Sequence, residues 1–546
     1  MPISTIGKNG LLQTTDHVIN GLTVGLGTGS VSTNTVTGFQ SLYNNTTGAN
    51  NTTLGYQALY TNTTGGSNVA IGSSALISNT TASNNTAVGF QALYYTTAAT
   101  NVGIGYQAGF NNTSGNVNVF IGNTAGVQNT TGAQNVFIGD RAGSESAAIT
   151  GSNNGGIGAF ALSYNSTGID NFAYGDQALR YNTTGAWNTA VGGQASRNNS
   201  VGSYNTAFGA QALYTNTVSN NTAIGYQAMY LSNTGNLNTA VGSFTLSTSV
   251  SGVQNTAVGH AALGTSTGSY NTAVGSYSMN GTTTGQYNTA HGEHSLVGNT
   301  TGNYNTAVGS QADFSNTTGN YNTAVGYLAL YTNTAGNENT AVGQRALNST
   351  TGTANTAVGT GALQSATTGN SNTAIGTGAG ISITTGAGNT IVGGYTGNTN
   401  GLDIRTLSNI CVISDGSGNP QIHTQRTDNN TSWANFDITQ NVSGGAASNG
   451  YVVSANTAAG VLINGSQGFS GMAIINDISY TGNTCLVLLG GGTMSIIGQS
   501  AGSQFVNNSS PGGGQIGVYI SGNNLYVKPT ANATFRIWTL RTRTSQ

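Results

Sequence analysis

Along residues 34–401, apolar and polar positions recur in a register of about 17 residues that is written 22 times. One copy reads Asn322-Thr-Ala-Val-Gly-Tyr-Leu-Ala-Leu-Tyr-Thr-Asn-Thr-Ala-Gly-Asn-Glu338, and the next begins at once with Asn339-Thr-Ala-Val-Gly343. Sixteen of the 21 intervals between copies are 17 residues, four are 16 and one is 19. With the first Asn as position one, position four is aliphatic or aromatic in 20 of 22 copies, as in Val325, Ile224 and Phe208, the exceptions being Thr37 and His291. Position nine is Leu or Met in 15 copies, as in Leu59 and Met229. A Gly at position five separates these two anchors in every copy, and Gly costs ~1 kcal/mol in a helix interior, so the pattern excludes helices of useful length. It predicts two short strands per turn of a β-solenoid, each copy one unit stacked on the last. At ~4.8 Å per coil, 22 coils make an elongated rod on the order of 105 Å long.

The punctuation fits that reading. Gly at position five and usually at fifteen, with Asn at position one and often at twelve, puts residues that tolerate positive φ at the corners. Asn at position one of every copy is expected to stack along the axis, each amide bonding the next. The inner positions are expected to be Val, Leu and Ala, which makes a thin core. Aromatic residues at positions six, ten and seventeen, such as Tyr56, Tyr60, Tyr226, Tyr304 and Tyr321, cannot all point inward. On a nearly uncharged rod they invite aggregation unless another chain covers them. A parallel homotrimer is the expected solution.

Composition supports order by stacking over disorder. Only 24 of 546 residues are charged, 4% against roughly 25% in an ordinary soluble protein, and there are 84 Gly but four Pro. The net charge of −2 and the absence of Lys/Arg clusters in the repeats speak against nucleic-acid binding. The N-terminal residues lack the basic start and apolar core of a signal peptide, and no window approaches ~18 consecutive apolar residues, so synthesis in a cytoplasm without membrane insertion is expected. Cys411 and Cys485 make no disulfide framework and would pair only if the fold joined them.

The recurring Asn-Thr-Ala-Val-Gly, with Asn-Val-Ala-Ile-Gly at 68–72 and Asn-Val-Phe-Ile-Gly at 118–122, resembles the head repeats of trimeric autotransporter adhesins, which form stacked β-rolls in a trimer. The longer form, with Tyr-Gln-Ala-Leu-Tyr at 56–60 and Asn-Thr-Thr-Gly at 62–65, looks more like repeats of bacteriophage tail-fibre proteins. The resemblance covers roughly residues 20–400 and implies a trimeric attachment fibre. Autotransporters also carry a secretion signal, a coiled-coil stalk and a C-terminal barrel. This sequence shows no heptads and ends in Arg541-Thr-Arg543-Thr-Ser-Gln546, which shifts the expectation to a virion fibre.

Outside the repeat, residues 1–33 carry short strand-like segments and are expected either to dock on a baseplate or other virion protein or to cap the rod. Residues 402–440 read as a neck, with Ile410–Ser414 and Gln421–Thr424 forming a hairpin about a turn at Asp415. Residues 441–546 alternate strand candidates with Gly-rich turns and predict a β-sandwich or jelly-roll-like tip. That tip is locally basic and aromatic. Tyr519, Tyr526, Lys528, Arg536 and Trp538 are the candidate receptor-binding residues, since ring faces flanked by cations suit host-surface polysaccharide. A sandwich core and a solvated rim account for the same residues.

Other chemistry is sparse. His291-Gly-Glu293-His294 is the one metal-like cluster; its spacing matches no zinc template, and no metal or other cofactor is expected. The 19-residue copy at Asn135 carries Asp140, Arg141 and Glu145 and suggests a protruding loop or a neutral insertion, while Arg180, Arg197 and Arg345 read as isolated and solvated. Acids occur singly, without the paired carboxylates of a glycosidase, so no catalytic residue is named. The expected function is a structural tail fibre attaching a virion to host carbohydrate. A bacterial or environmental adhesin filament and a tailspike depolymerase are the alternatives.

Overall fold

The computed structural model describes residues 25, 26 and 31–423 in full, apart from 232, 233 and 250, and gives the backbone alone for the strands outside that span. It is all-β, with no helix among the described residues, and forms a β-solenoid of about 22 turns of about 17 residues. The chain divides into two compact units, residues 1–320 and 321–546.

The first unit stacks 17 coils, and each contributes one three-residue strand, from Thr35–Thr37 to Thr306–Val308. Successive strands pair in parallel, one residue to one, as in Thr189↔Thr206, Ala190↔Ala207 and Val191↔Phe208. The second strand expected in each turn is replaced by something different. Positions seven and nine adopt left-handed φ, as at Gln57 (51°) and Leu59 (54°) or Gln177 (55°) and Leu179 (48°), with a residue of negative φ between them. A non-Gly residue in that region costs roughly 1–2 kcal/mol. The cost is offset because this side of the coil keeps its ladder: Leu59 N–H donates to Ala75 O of the next coil at 2.9 Å, and Gln57 N–H to Phe39 O of the previous one at 3.0 Å. Gln at position seven adds a side-chain rail, with Gln57 Nε2 donating to Gln40 Oε1 at 2.9 Å and Gln227 to Gln211 at 2.7 Å.

Which residues face inward also differs from expectation. Asn at position one is buried, and the period of two along a strand then turns position three inward and positions two and four outward. Ala at positions three and eight and Leu at nine form the core, as Ala87, Ala92 and Leu93, all fully buried. Position four is outside: Ile104, Ile224 and Phe208 are 38%, 39% and 55% exposed. In the first unit the Gly at five turns the strand at φ +129° to +146° with its backbone tight against the next coil, so that a Cβ on Gly55 would lie 2.4 Å from Gly72 O.

The Asn ladder is present and bonds chiefly to backbone. Position-one amides bridge two coils, as when Asn118 Nδ2 donates to Gly132 O at 2.9 Å and Asn118 Oδ1 accepts the Asn135 N–H at 2.9 Å, Asn85 being an exception whose Nδ2 has no hydrogen-bond partner. Direct amide-to-amide bonds join a subset, among them Asn188 Nδ2 to Asn171 Oδ1 at 3.0 Å. A second buried row stands at position twelve, where Asn62 donates to Asn45 at 2.9 Å and Asn129 to Asn112 at 2.7 Å. The end of this unit is covered by Leu22–Gly25, which pairs antiparallel with the first coil through Val24↔Thr37 and Gly25↔Val36. Covering an open strand edge removes a template for unwanted pairing.

The second unit holds five coils of the same kind, from Thr323–Val325 to Thr390–Val392. Its ladder runs one rung beyond the sequence repeat, because Cys411–Ser414 pairs in parallel with Thr390–Val392 before turning into the antiparallel strand Pro420–Gln425. Tyr395 is buried beside this rung and donates its hydroxyl to Leu402 O at 2.7 Å. Burial first, then the charge of Asp403, pushes its pKa up to about 12. The neutral phenol is therefore favoured in the folded state, and its contribution to stability is complete below the unfolded value and lost as pH rises from about 10 towards 12. Thermal melting across that window should fall for the native chain, and Tyr395→Phe should remove this component of the fall.

Beyond the last rung the backbone forms two sheets. One is five-stranded and antiparallel, in the order Ser448–Ala455, Ala533–Arg541, Gly471–Asp477, Asn483–Gly490, Thr493–Gln499. The other has four strands, Val461–Ile463, Asn524–Pro529, Ile516–Ser521 and Phe505–Val506. The side chain of Cys485 lies outside the described residues.

Candidate functional site

Stacking identical coils brings equal positions within one coil spacing of each other, so aromatic residues repeated at one position form columns. Tyr270, Tyr287 and Tyr304 stack at 4.7 and 4.9 Å with planes 1° apart, and Trp187 stacks on Tyr204 at 5.1 Å. Phe39 and Tyr56 do the same at position six, and Tyr43 and Tyr60 at position ten. Ring faces are thus partly closed by neighbouring rings of the same chain, and the edges remain open. Offset or parallel pairs of this kind add ~0.5–1.5 kcal/mol beyond burial.

One column on the same side of the coil carries charge. Arg141 lies over the Phe160 ring at 5.3 Å and Arg180 over it at 4.6 Å; Arg180 also faces Tyr181 at 5.2 Å, and Arg197 packs over Tyr181 at 4.8 Å and Tyr214 at 5.8 Å. Tyr164 stacks on Tyr181 at 5.0 Å. Arg180 and Arg197 are therefore not isolated solvated side chains. Arg180 pairs at 3.0 Å with Glu145, two coils away, and both side chains are about four-fifths buried. Arg197 donates to Gln177 Oε1 at 2.9 Å and contacts the Tyr214 hydroxyl at 3.3 Å.

The 19-residue copy that supplies Glu145 does not interrupt the ladder. Its strand Val136–Ile138 pairs in register with Gly155–Ile157, and its additional length tucks in, with Ser144, Ser146 and Ile149 buried and Ile149 bridging to Asn129. Burial works to lower the pKa of Arg180, but the hydrogen bond and charge of Glu145 outweigh it and hold the guanidinium above its ordinary value. The Tyr164 phenol is raised chiefly by the charge of the same carboxylate, then by burial and by its hydrogen bond to Glu145. Glu145→Gln should therefore bring the Tyr164 ionisation down in a spectrophotometric titration. Because the two acids beside the column, Asp140 and Asp176, also bond within the chain, the column reads as an internal staple.

The sequence-level candidates fall in different places. Tyr519 and Tyr526 are direct partners across one antiparallel pair, and Lys528 opposes Gly517 in the same pair. Arg536 and Trp538 belong to the other sheet, opposite Val452 and Gly450 on one side and Asn476 and Ile474 on the other. Backbone register thus joins the first three and separately the last two; their side chains lie outside the described residues. His291 sits outward at position four, while His294 Nδ1 is 3.6 Å from Glu293 Oε1 and its ring stacks on Tyr277. Among the described residues no three His, Cys, Asp or Glu side chains gather as a metal site.

The Arg–aromatic column was missed at sequence level. Its signal was available: with the period known, positions ten and eleven of coils two apart become neighbours, and Glu145 and Arg180 hold those positions. Comparison of the chain with protein-family models, with curated proteins and with solved structures gave no match.

Proposed function

We propose that the chain is a structural fibre of a bacteriophage tail, a parallel homotrimer in which the solenoid is a spacer and residues 441–546 form a β-sandwich-like tip that binds host surface carbohydrate. Residues 1–33 would then carry the contact to the baseplate or another virion protein, and the fibre would be extracellular once assembled. The observation that carries the reading is repetition without chemistry: coil after coil adds length through the same backbone ladder and the same Asn row, with few charges and no clustered acids. An object selected for reach has that character. The exposed aliphatic and aromatic side chains that no coil of the same chain covers supply the reason for further chains. Weak binding at each tip would be strengthened by several fibres engaging together.

Light scattering on the full chain tests the assembly, with three chains per particle expected. A glycan array tests the tip: the native chain should bind a surface polysaccharide, and Tyr526→Ala or Trp538→Ala should lower that binding at least severalfold without changing the mass. Binding unaffected by both substitutions would move recognition off these residues. Cleavage of the bound polymer on incubation would turn the reading to a tailspike depolymerase.

A further inference from the structure

We infer that Asp313 sits in the solenoid core as the neutral acid and makes its coil, residues 305–321, a pH-sensitive joint that is closed in acid and opens more readily as pH rises. The inference is independent of the fibre reading and of the tip.

Position nine is a core position, with Leu or Met in 15 coils and Gly or Ser in six. The remaining coil has Asp313 there, and it is fully buried. An ionised carboxylate is costly to bury unless a cation or several donors meet it; otherwise the acid keeps its proton. The sequence supplies no cation nearby, since no Lys or Arg occurs between Arg197 and Arg345. In the preceding coil His291 stands outward at position four, and His294, about a third exposed, is turned to Glu293, 3.6 Å from its Nδ1. Tyr304 and Tyr321, at position seventeen, are exposed. The next coil in the sequence has Tyr327, Tyr331 and Glu338 as its titratable residues, which adds acids and no base.

A donor that does meet the carboxyl is neutral: Asn316 Nδ2 donates to Asp313 Oδ2 at 3.2 Å and to Gly319 O at 3.1 Å. Elsewhere that amide continues the row at position twelve, as from Asn182 to Asn165 at 2.8 Å. Here its counterpart in the coil before, Asn299 Oδ1, is buried without a hydrogen-bond partner. The core hydroxyls of the two preceding coils are used among themselves, Ser278 with Ser295 at 2.9 Å and Ser295 to Gly292 O at 2.8 Å. The acid therefore sits at a break in the row, in the last coil of the first compact unit. Fewer bonds between neighbouring coils leave less to oppose local opening.

An acid that ionises only when its coil opens releases one proton on opening. The contribution of Asp313 to stability is then complete below about pH 4, where the carboxyl is protonated in both states, and is lost as pH rises. Amide hydrogen exchange of the full chain, corrected for its intrinsic pH dependence and followed from about pH 5 to 8, reads this directly. Protection of Thr289–His291 and Thr306–Val308 should fall about tenfold per pH unit until the acid ionises in place, while that of Thr52–Leu54 stays constant. Asp313→Asn and Asp313→Leu should both abolish the slope, and the leucine should also raise protection at neutral pH. A native chain without the slope, or a slope that survives both substitutions, overturns the inference. As a second measurement, the infrared difference between the native chain and Asp313→Asn at neutral pH should contain the C=O stretch of a protonated carboxyl. Carboxylate bands alone would show that the charge itself is buried, and would overturn it as well.

Discussion

Asn188→Ala should be among the most damaging single substitutions in the molecule. The Asn188 amide donates to Gly202 O at 2.8 Å and to Asn171 Oδ1 at 3.0 Å, and its own oxygen accepts the Asn205 N–H at 3.0 Å. Alanine leaves the buried Asn205 N–H without a partner and removes one of the two donors to Gly202 O, which keeps Asn199 Nδ2 at 2.8 Å. An orphaned buried group costs ~1–3 kcal/mol and each lost hydrogen bond about 1 kcal/mol more, so a local loss of about 2–4 kcal/mol is expected, a large share of what holds neighbouring coils together. Asn188→Asp should be no better at neutral pH, because a carboxylate cannot donate to Gly202 O. Amide hydrogen exchange is the direct readout: the strands Phe172–Tyr174, Thr189–Val191 and Thr206–Phe208 should lose protection first, while distant coils keep theirs. Uniform protection in the variant would show that the ladder is decorative and that the backbone pairing alone suffices.

The coil count, its period and the buried Asn row could be read from the repeat because stacking translates sequence identity at a fixed offset into spatial contact. Facing direction could not be read from hydrophobicity alone. Position four is the more apolar position in the strand, which by hydrophobicity alone makes it the inner anchor, but the buried Asn at position one sets the phase, and alternation then hands the interior to Ala at position three. The second expected strand fails for a related reason. Gln and Leu carry no propensity for positive φ, and nothing in Tyr-Gln-Ala-Leu-Tyr announces that Gln57 and Leu59 are left-handed; the conformation is imposed by the need to turn a tight coil while keeping hydrogen bonds between turns. Glu145 and Arg180 show the opposite case, a contact 35 residues apart in sequence that the period itself locates. For Tyr519, Tyr526 and Lys528 the sequence gives strands, and pairing register adds which residues oppose them.

The core contains a compensation that makes a sharper prediction. In ten of the 22 coils Ala at position three sits with Leu at nine, but Phe120 and Phe137 at position three accompany Gly126 and Gly143 at nine. The rings occupy the volume the leucines fill elsewhere: a Cβ on Gly143 would lie 2.6 Å from two atoms of the Phe137 ring, and one on Gly156 in the next coil 3.0 Å from it. Phe137 also stacks on Phe120 at 6.0 Å. Phe137→Ala alone should open a cavity and cost about 3–5 kcal/mol. Gly143→Leu alone should overpack and cost about 1–3 kcal/mol or more, since the ring cannot move aside between neighbouring coils. The double variant re-creates the arrangement of Ala87 and Leu93, with Gly156 leaving room for the new leucine, and should recover most of both losses. A urea-denaturation double-mutant cycle should therefore show coupling of at least about 2 kcal/mol. Additive losses would mean that positions three and nine of a coil pack independently, and that the pairing of Phe with Gly across them has no role in filling the solenoid.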